Sequence, residues 1–339
     1  MSISTATSRS LVIAPQWLGD AVMTEPLLRR LAARGERVTV GALPWIAPLF
    51  RAMPQVVEVI EFPFAHGGLQ LRERRAIARQ IGGQFDIAYI LPNSLKSALL
   101  PALAGIPKRV GYLGEARVGL LTHRLKNPPK AKRPPMVAFY SALSGEPGIE
   151  ADRPQLSVDL AATRETIKAL GLRPREYCVF APGSEYGSAK RWPASHYAEL
   201  ARSVDLPVVL LGSGKEAALC DEISGLAPEK CLNLAGKTSI VTAMACLAAT
   251  KFIVSNDSGL MHVAAALGVP QVAIFGSSDP HHTPPLSDRA TVLWLKTDPS
   301  YQPPLDCAPC FERECPLGHT RCLNDLQASQ VLVVVQAGI

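Results

Sequence analysis

No stretch of this 339-residue chain reaches the ~18 to 20 uninterrupted apolar residues that a membrane-spanning helix needs. Its polar, Ser/Thr-rich start (Met1 to Arg9) leads only into a short apolar run, Leu11 to Ala14, with no small-residue cleavage site behind it. A secretory leader is therefore not expected, and the cytoplasm is the expected location. No block of lysine and arginine interleaved with aromatics occurs, and a formal net charge of +6 is too mild to argue for nucleic acid. Such a charge suits an anionic substrate or the anionic face of a membrane. No Gly-x-Gly-x-x-Gly follows the first strand, which excludes the usual dinucleotide dehydrogenase pattern, and no Walker sequence is present.

What is present is an alternation of short apolar strands and amphipathic helices. In the first half, strands are expected at Leu11 to Ala14, Val38 to Gly41, Val57 to Glu61 and Asp86 to Leu91, with Arg109 to Gly111 as an edge strand. One helix is expected across Ala21 to Leu31, others at Pro44 to Met53, Arg72 to Ile81, Ser97 to Ala104 and Met136 to Ser144. In the second half, strands are expected at Tyr177 to Ala181, Val208 to Gly212, Cys231 to Leu234, Phe252 to Val254 and Val272 to Phe275. Helices lie between them, at Ala194 to Ser203, Lys215 to Gly225 and Ile240 to Thr250, and a last one covers Asp325 to Ala337. Strand–helix alternation means parallel sheets with helices on both faces. The length and the repeat predict an α/β chain of two doubly wound, Rossmann-like domains, residues 1–150 and 151–339, facing across a cleft. The linker is expected within Gly145 to Asp159.

The most informative segment runs from Ser255 to Ser287. A buried strand leads into Asn256, Asp257 and Ser258, all good helix N-cap residues, and Leu260, Val263, Ala264 and Leu267 then recur at helical spacing. A turn of this kind aims unpaired backbone N–H groups and a positive dipole end at an anion, for which a nucleotide diphosphate is the natural guest. Asp257 and Ser258 serve equally well as plain caps, and a lone helical histidine such as His262 is more often structural than catalytic.

Eight cysteines divide into two sets. Cys178, Cys220, Cys231 and Cys246 sit in apolar surroundings and read as core thiols. Cys307, Cys310, Cys315 and Cys322 cluster, with His319 among them. That spacing admits a structural metal such as zinc, or simply a loop of thiols.

Four phrases fall at strand ends: Gln16-Trp17-Leu18-Gly19-Asp20-Ala21-Val22, Leu91-Pro92-Asn93-Ser94-Leu95-Lys96-Ser97-Ala98, Pro182-Gly183-Ser184-Glu185-Tyr186-Gly187-Ser188-Ala189-Lys190-Arg191-Trp192-Pro193, and the Ser255 segment. Together, from about Leu11 to about Leu295, they resemble the ADP-heptose:lipopolysaccharide heptosyltransferases, and the third phrase looks like that of the type II branch. The cysteine-rich stretch departs from that pattern.

The resemblance implies a GT-B fold and an inverting glycosyltransferase that moves L-glycero-D-manno-heptose from ADP-heptose to the first heptose of a heptosyl-Kdo2-lipid A acceptor. The protein is expected at the cytoplasmic face of the inner membrane, in transient contact with it. The first domain would bind acceptor and the second donor. Asp20 would be the catalytic aspartate, taking the hydroxyl proton; an N-cap for the first helix is the alternative reading. Lys190 would neutralise the leaving diphosphate, with Arg191 beside it. Ser184, Glu185, Gly212, Ser213, Gly214, Asp257, Ser258, Gly259 and His262 would form the donor site. Asp257 would orient the turn or meet a sugar hydroxyl, since a carboxylate repels phosphate. Asn93, Ser94 and Lys96 would face the acceptor, with attraction added by Lys108, Arg109 and the Lys130 to Arg133 loop, unless these simply form a solvated face. No cofactor is required, and no Asp-x-Asp metal motif lies near the donor phrases. A transferase of the same family with another acceptor, and a GT-B-like sugar-nucleotide epimerase, are the competing readings.

Overall fold

A computed structural model describes residues 7–65, 68–129, 133–146 and 152–338. The chain separates into two compact units, Met1–Gln155 and Leu156–Ile339. The expected boundary at 150/151 and part of the expected linker, residues 147–151, lie outside the described residues.

The first unit holds strands β1 (Arg9–Ile13), β2 (Arg37–Ala42), β3 (Val56–Glu61), β4 (Ile87–Ile90), β5 (Lys108–Tyr112) and β6 (His123–Leu125). They form one parallel sheet in the order β3-β2-β1-β4-β5-β6. Near-continuous burial of β1, β2 and β4 is what a sheet covered on both faces requires. Helices α1 (Leu18–Met23), α2 (Glu25–Ala33), α3 (Ala47–Arg51), α4 (Leu71–Ile81), α5 (Leu95–Leu103) and α6 (Met136–Ser141) supply the cover.

Two expectations are corrected in this unit. The helix expected across Ala21 to Leu31 is two helices, broken at Thr24. Pro26 has no N–H to continue the ladder, and the Thr24 hydroxyl bonds back to the Ala21 carbonyl at 2.7 Å. The strand around Arg109 to Gly111 is interior, because β6 pairs outside it. With only three residues, two of them His and Arg, β6 carries no strand pattern to read.

The second unit repeats the plan. Its strands are β7 (Cys178–Ala181), β8 (Val208–Leu210), β9 (Cys231–Asn233), β10 (Ile253–Asn256), β11 (Gln271–Ile274) and β12 (Ala290–Leu293). All are parallel, ordered β12-β11-β10-β7-β8-β9. Relabelled from its own first strand, this is the order of the first unit and that of the dinucleotide-binding fold. The helices are α7 (Leu160–Ala169), α8 (Ala194–Ser203), α9 (Ala217–Leu226), α10 (Ile240–Ala249), α11 (Gly259–Ala266), α12 (Arg321–Asn324) and α13 (Ala328–Gln336). The expected last helix, Asp325 to Ala337, is α13, starting three residues later, and the short α12 precedes it. Helix α7 and strand β12 were not anticipated: α7 buries only Thr163 and Ile167, and β12 is half-buried throughout its four residues apart from one exposed position, so neither shows a strong period. Wholly buried Trp192, Tyr197 and Phe180 form the aromatic centre of this core.

Candidate active site

In a doubly wound sheet, ligands bind beyond the carboxyl ends of the strands, where the strand order reverses. That point lies between β1 and β4 in the first unit and between β7 and β10 in the second. All four phrases singled out in the sequence follow these four strands.

At the second point, Asn256 closes the loop after β7 onto the end of β10. Its buried amide nitrogen donates to the Pro182 carbonyl at 2.5 Å, and its oxygen accepts from the Trp192 backbone N–H and the Tyr197 hydroxyl, each at 3.1 Å. The loop between is thereby fixed at both ends. Within it, the short turn Ser188–Lys190 presents the Lys190 ammonium to Asp257, 2.5 Å from Oδ2. Ser278 donates to the same oxygen at 2.6 Å. Asp257 is thus a partner of Lys190 rather than a cap; Ser258 occupies the N-cap position of α11. The Ser258 hydroxyl makes no cap bond and is buried without a partner among the described residues, as are the Ser255 and Ser277 hydroxyls. Buried His262 lies in the same group. Burial drives its pKa down to about 4, with Asp257 pulling up and Lys190 pushing down, so the ring is neutral at pH 7.

Around this core, Ser184 is buried and its carbonyl accepts the Arg191 guanidinium at 3.0 Å. Glu185 pairs with exposed Lys215, a contact of small energetic weight. Glu216 was missed by the sequence reading. It accepts the Ser213 N–H at 2.6 Å, and a methyl group on Gly183 would lie 1.9 Å from its carboxylate. Gly183 and Gly212 are therefore small because Glu216 packs against them. The Ser-x-x-Glu spacing of Ser213 to Glu216 is a capping-box signal that could have found it.

The cysteine-rich stretch, read from the sequence as either a metal site or a loop of thiols, seats on the donor loop. Tyr186 donates its hydroxyl to the Phe311 carbonyl at 2.7 Å, and the Ala189 N–H donates to the Arg313 carbonyl at 3.0 Å. Lys190 and Arg313 lie 5.1 and 5.2 Å from the Tyr186 ring centre. Cys307, Cys310, Cys315, Cys322 and His319 line one small cavity together with Ala189 and Ser277. The four cysteines are free thiols, and burial pushes the Cys322 thiol up to about 12. Among the described residues no three His, Cys, Asp or Glu side chains are grouped to hold a metal ion. The cluster's geometry thus adds nothing to the metal reading. Of the other four, Cys178, Cys220 and Cys246 are buried and Cys231 is half-buried.

At the first switch point, the N-cap of α1 is Trp17, so Asp20 lies inside the helix and is not its cap. Tyr140 donates its hydroxyl to Asp20 Oδ1 at 3.0 Å. Asn93 is spoken for: its oxygen accepts from buried Arg117 at 2.7 Å, and its nitrogen meets Asn127 at 3.4 Å. Ser94 caps α5, accepting from the Ser97 N–H at 3.3 Å. Of the three acceptor candidates only half-buried Lys96 has no polar partner among the described residues. The Arg109 guanidinium is used by the Leu120 and Ile106 carbonyls, both at 2.6 Å, and so is structural. In the basic loop, residues 130–132 lie outside the described residues.

Two parallel six-stranded units of this order are the architecture of the GT-B glycosyltransferases. The solved structure of the Escherichia coli ADP-heptose lps heptosyltransferase II superposes with a TM-score of 0.82 at 38% identity, covering 97% of this chain and 98% of that one. The family description "Glycosyltransferase family 9 (heptosyltransferase)" matches residues 74–321. This chain belongs to that family and is a glycosyltransferase. It is 44% identical to the lipopolysaccharide heptosyltransferase 2 of Escherichia coli K12 over 85% of its own length and 88% of the relative's. Identity to the lipooligosaccharide heptosyltransferase 2 of Haemophilus influenzae is 40%, over 84% and 88% respectively.

Proposed function

We propose that this chain transfers L-glycero-D-manno-heptose from ADP-heptose to the first heptose of the lipopolysaccharide inner core, with inversion at the anomeric carbon. The observation that carries the donor half is the Lys190 ammonium, held by Asp257 at the carboxyl ends of β7 and β10, beside the N-terminus of α11. Positive charge concentrated where a diphosphate departs lowers the barrier most.

The reaction is a single displacement. The acceptor oxygen bonds to the anomeric carbon, its proton passes to the Asp20 carboxylate, and the anomeric C–O bond breaks with its electron pair leaving on the diphosphate of ADP. Lys190 and the α11 N-terminus take up that charge, so the scheme needs no divalent ion. Ser184, Gly212, Ser213, Ser258 and Gly259 contribute backbone and hydroxyl groups to the nucleotide, and neutral His262 donates from its N–H. Glu185 and Asp257 act on the lysines rather than on phosphate. On the acceptor side, Lys96 meets the phosphorylated sugar, while Asn93 and Ser94 shape the loop that carries it. Trp17 (48% exposed) and Trp45 (52% exposed) stand beyond the ends of neighbouring β1 and β2 and offer faces for sugar rings.

No helix among the described residues is long and apolar enough to cross a membrane. The net charge of +6 supports transient electrostatic contact with the anionic cytoplasmic face of the inner membrane; pelleting with vesicles that resists high salt would count against it.

The deciding test is transfer from ADP-heptose to Kdo2-lipid A carrying one heptose. A mass gain of one heptose, lowered about 10²- to 10⁴-fold in Asp20→Asn with donor affinity retained, supports the reading. Tight ADP-heptose binding without transfer to this acceptor would favour a family transferase with another acceptor.

A further inference from the structure

The sequence reading left Tyr140 without a role. It lies on α6, is buried, and directs its hydroxyl at Asp20 Oδ1 from 3.0 Å. Helix α6 is itself fixed to the sheet. Tyr112 of β5 stacks face to face on Phe139, with ring centres 3.9 Å apart and planes 9° from parallel, and donates its hydroxyl to the Phe139 carbonyl at 2.7 Å. Phe139 in turn meets the Tyr140 ring edge-on at 5.8 Å. A chain of stiff aromatic contacts thus runs from an interior strand to one oxygen of Asp20.

We infer that Tyr140 is a positioning residue for the transfer, holding the Asp20 carboxylate in one orientation and in its charged form. The inference rests on the reading of Asp20 as the proton acceptor. A hydroxyl bonded to a carboxylate favours the ionised form and restricts rotation about the Cβ–Cγ bond. The phenol is a permanent donor, because burial first, and the Asp20 charge second, hold its pKa well above the ordinary value of 10. Among the described residues, the charged groups of the helices α2 and α3 packed on α1 are turned to partners of their own. On α2, Glu25 bonds Gln55 and the Gln155 N–H, Arg29 pairs with Glu25, and Arg30 pairs with Asp152. On α3, Arg51 pairs with Glu61. Helix α6 brings no charged side chain.

Tyr140→Phe removes the donor at almost constant volume. Two measurements on the full chain decide the matter: the pH profile of kcat/KM for the heptosylated acceptor, and the carboxyl 13C titration of Asp20 in the free enzyme. In Tyr140→Phe the acid limb and the titration midpoint should both move up by about one pH unit, with kcat about tenfold lower and the ADP-heptose Kd within twofold of wild type. An Asp20 midpoint that stays in place overturns the inference, whatever happens to the rate. A midpoint that moves, while Asp20→Asn transfers heptose at the wild-type rate, leaves the Tyr140–Asp20 coupling standing and removes the proton-acceptor role instead.

Discussion

The Lys190 ammonium and the Asp257 carboxylate meet at 2.5 Å, and the carboxylate oxygen that holds the lysine also accepts the Ser278 hydroxyl. Both side chains are largely removed from water, so the pair is fixed in place before any diphosphate arrives. Lys190→Met should lower kcat by about 10²- to 10³-fold, the scale of losing one preorganised charge-stabilising group. It should also destabilise the second unit by roughly 3 kcal/mol, because Asp257 would stay buried with a single donor. Transfer kinetics and thermal melts check the two effects separately. A variant that melts early and keeps full kcat would confine Lys190 to a structural role.

His262 sets a pH limit on the second unit. Its folded pKa lies near 4, below the ordinary 6.5, chiefly because burial disfavours the charged ring. Between these values the unfolded chain binds a proton that the folded one does not. Stability therefore rises with pH across that window, is fully present above about 6.5, and is lost as the pH falls toward 4. Replacing His262 with Gln should flatten the dependence of Tm on pH between about 6.5 and 4 relative to wild type. Equal slopes in the two proteins would show that other groups govern acid unfolding.

Gly187 marks where the cysteine-rich stretch meets the donor loop. A Cβ there would fall 2.2 Å from the Arg313 backbone carbonyl, and Ala189, two residues on, donates its N–H to the same carbonyl. Backbone cannot give way as a flexible side chain can. Gly187→Ala should lift residues 311–313 from the loop and loosen Lys190, weakening ADP-heptose binding about tenfold while most of the fold survives. Calorimetric titration with ADP-heptose measures this, and unchanged affinity would mean that the seat is not needed for donor binding.

Much of this was legible from the sequence because the chemistry sits in short phrases at strand ends. Strand–helix alternation gave the doubly wound units, and Asp20, Lys190 and the Asp257 turn fell at the switch points that the strand order defines. Local overrides hid other features. Pro26 stood in plain view, yet the apolar spacing across it suggested one helix where Thr24 divides two. The remaining gaps come from long-range packing. Tyr140 reaches Asp20 across 120 residues, and Tyr186 reaches Phe311 across 125. No periodicity reports which distant backbone will return to a given loop. The same holds for Asn93, whose amide looked available and is consumed by Arg117 from the neighbouring loop.

The shared strand order has a practical consequence for anyone altering this enzyme. In each unit, the four phrases that carry the chemistry follow the first and fourth strands, with Gly212 and Ser213 added after β8 and Trp45 after β2, while the second and third strands form the outer flank on one side. Chain length can therefore change after β3 without displacing a switch point, since no strand lies further out; after β9 the chain returns to the donor site, where the Gly236 N–H bonds the Gly212 carbonyl at 2.9 Å. The same insertion after β1, β4, β7 or β10 would fall inside the reaction machinery. Tags, labels or grafted peptides belong after β3, where the enzyme should accept them with its catalytic constants intact.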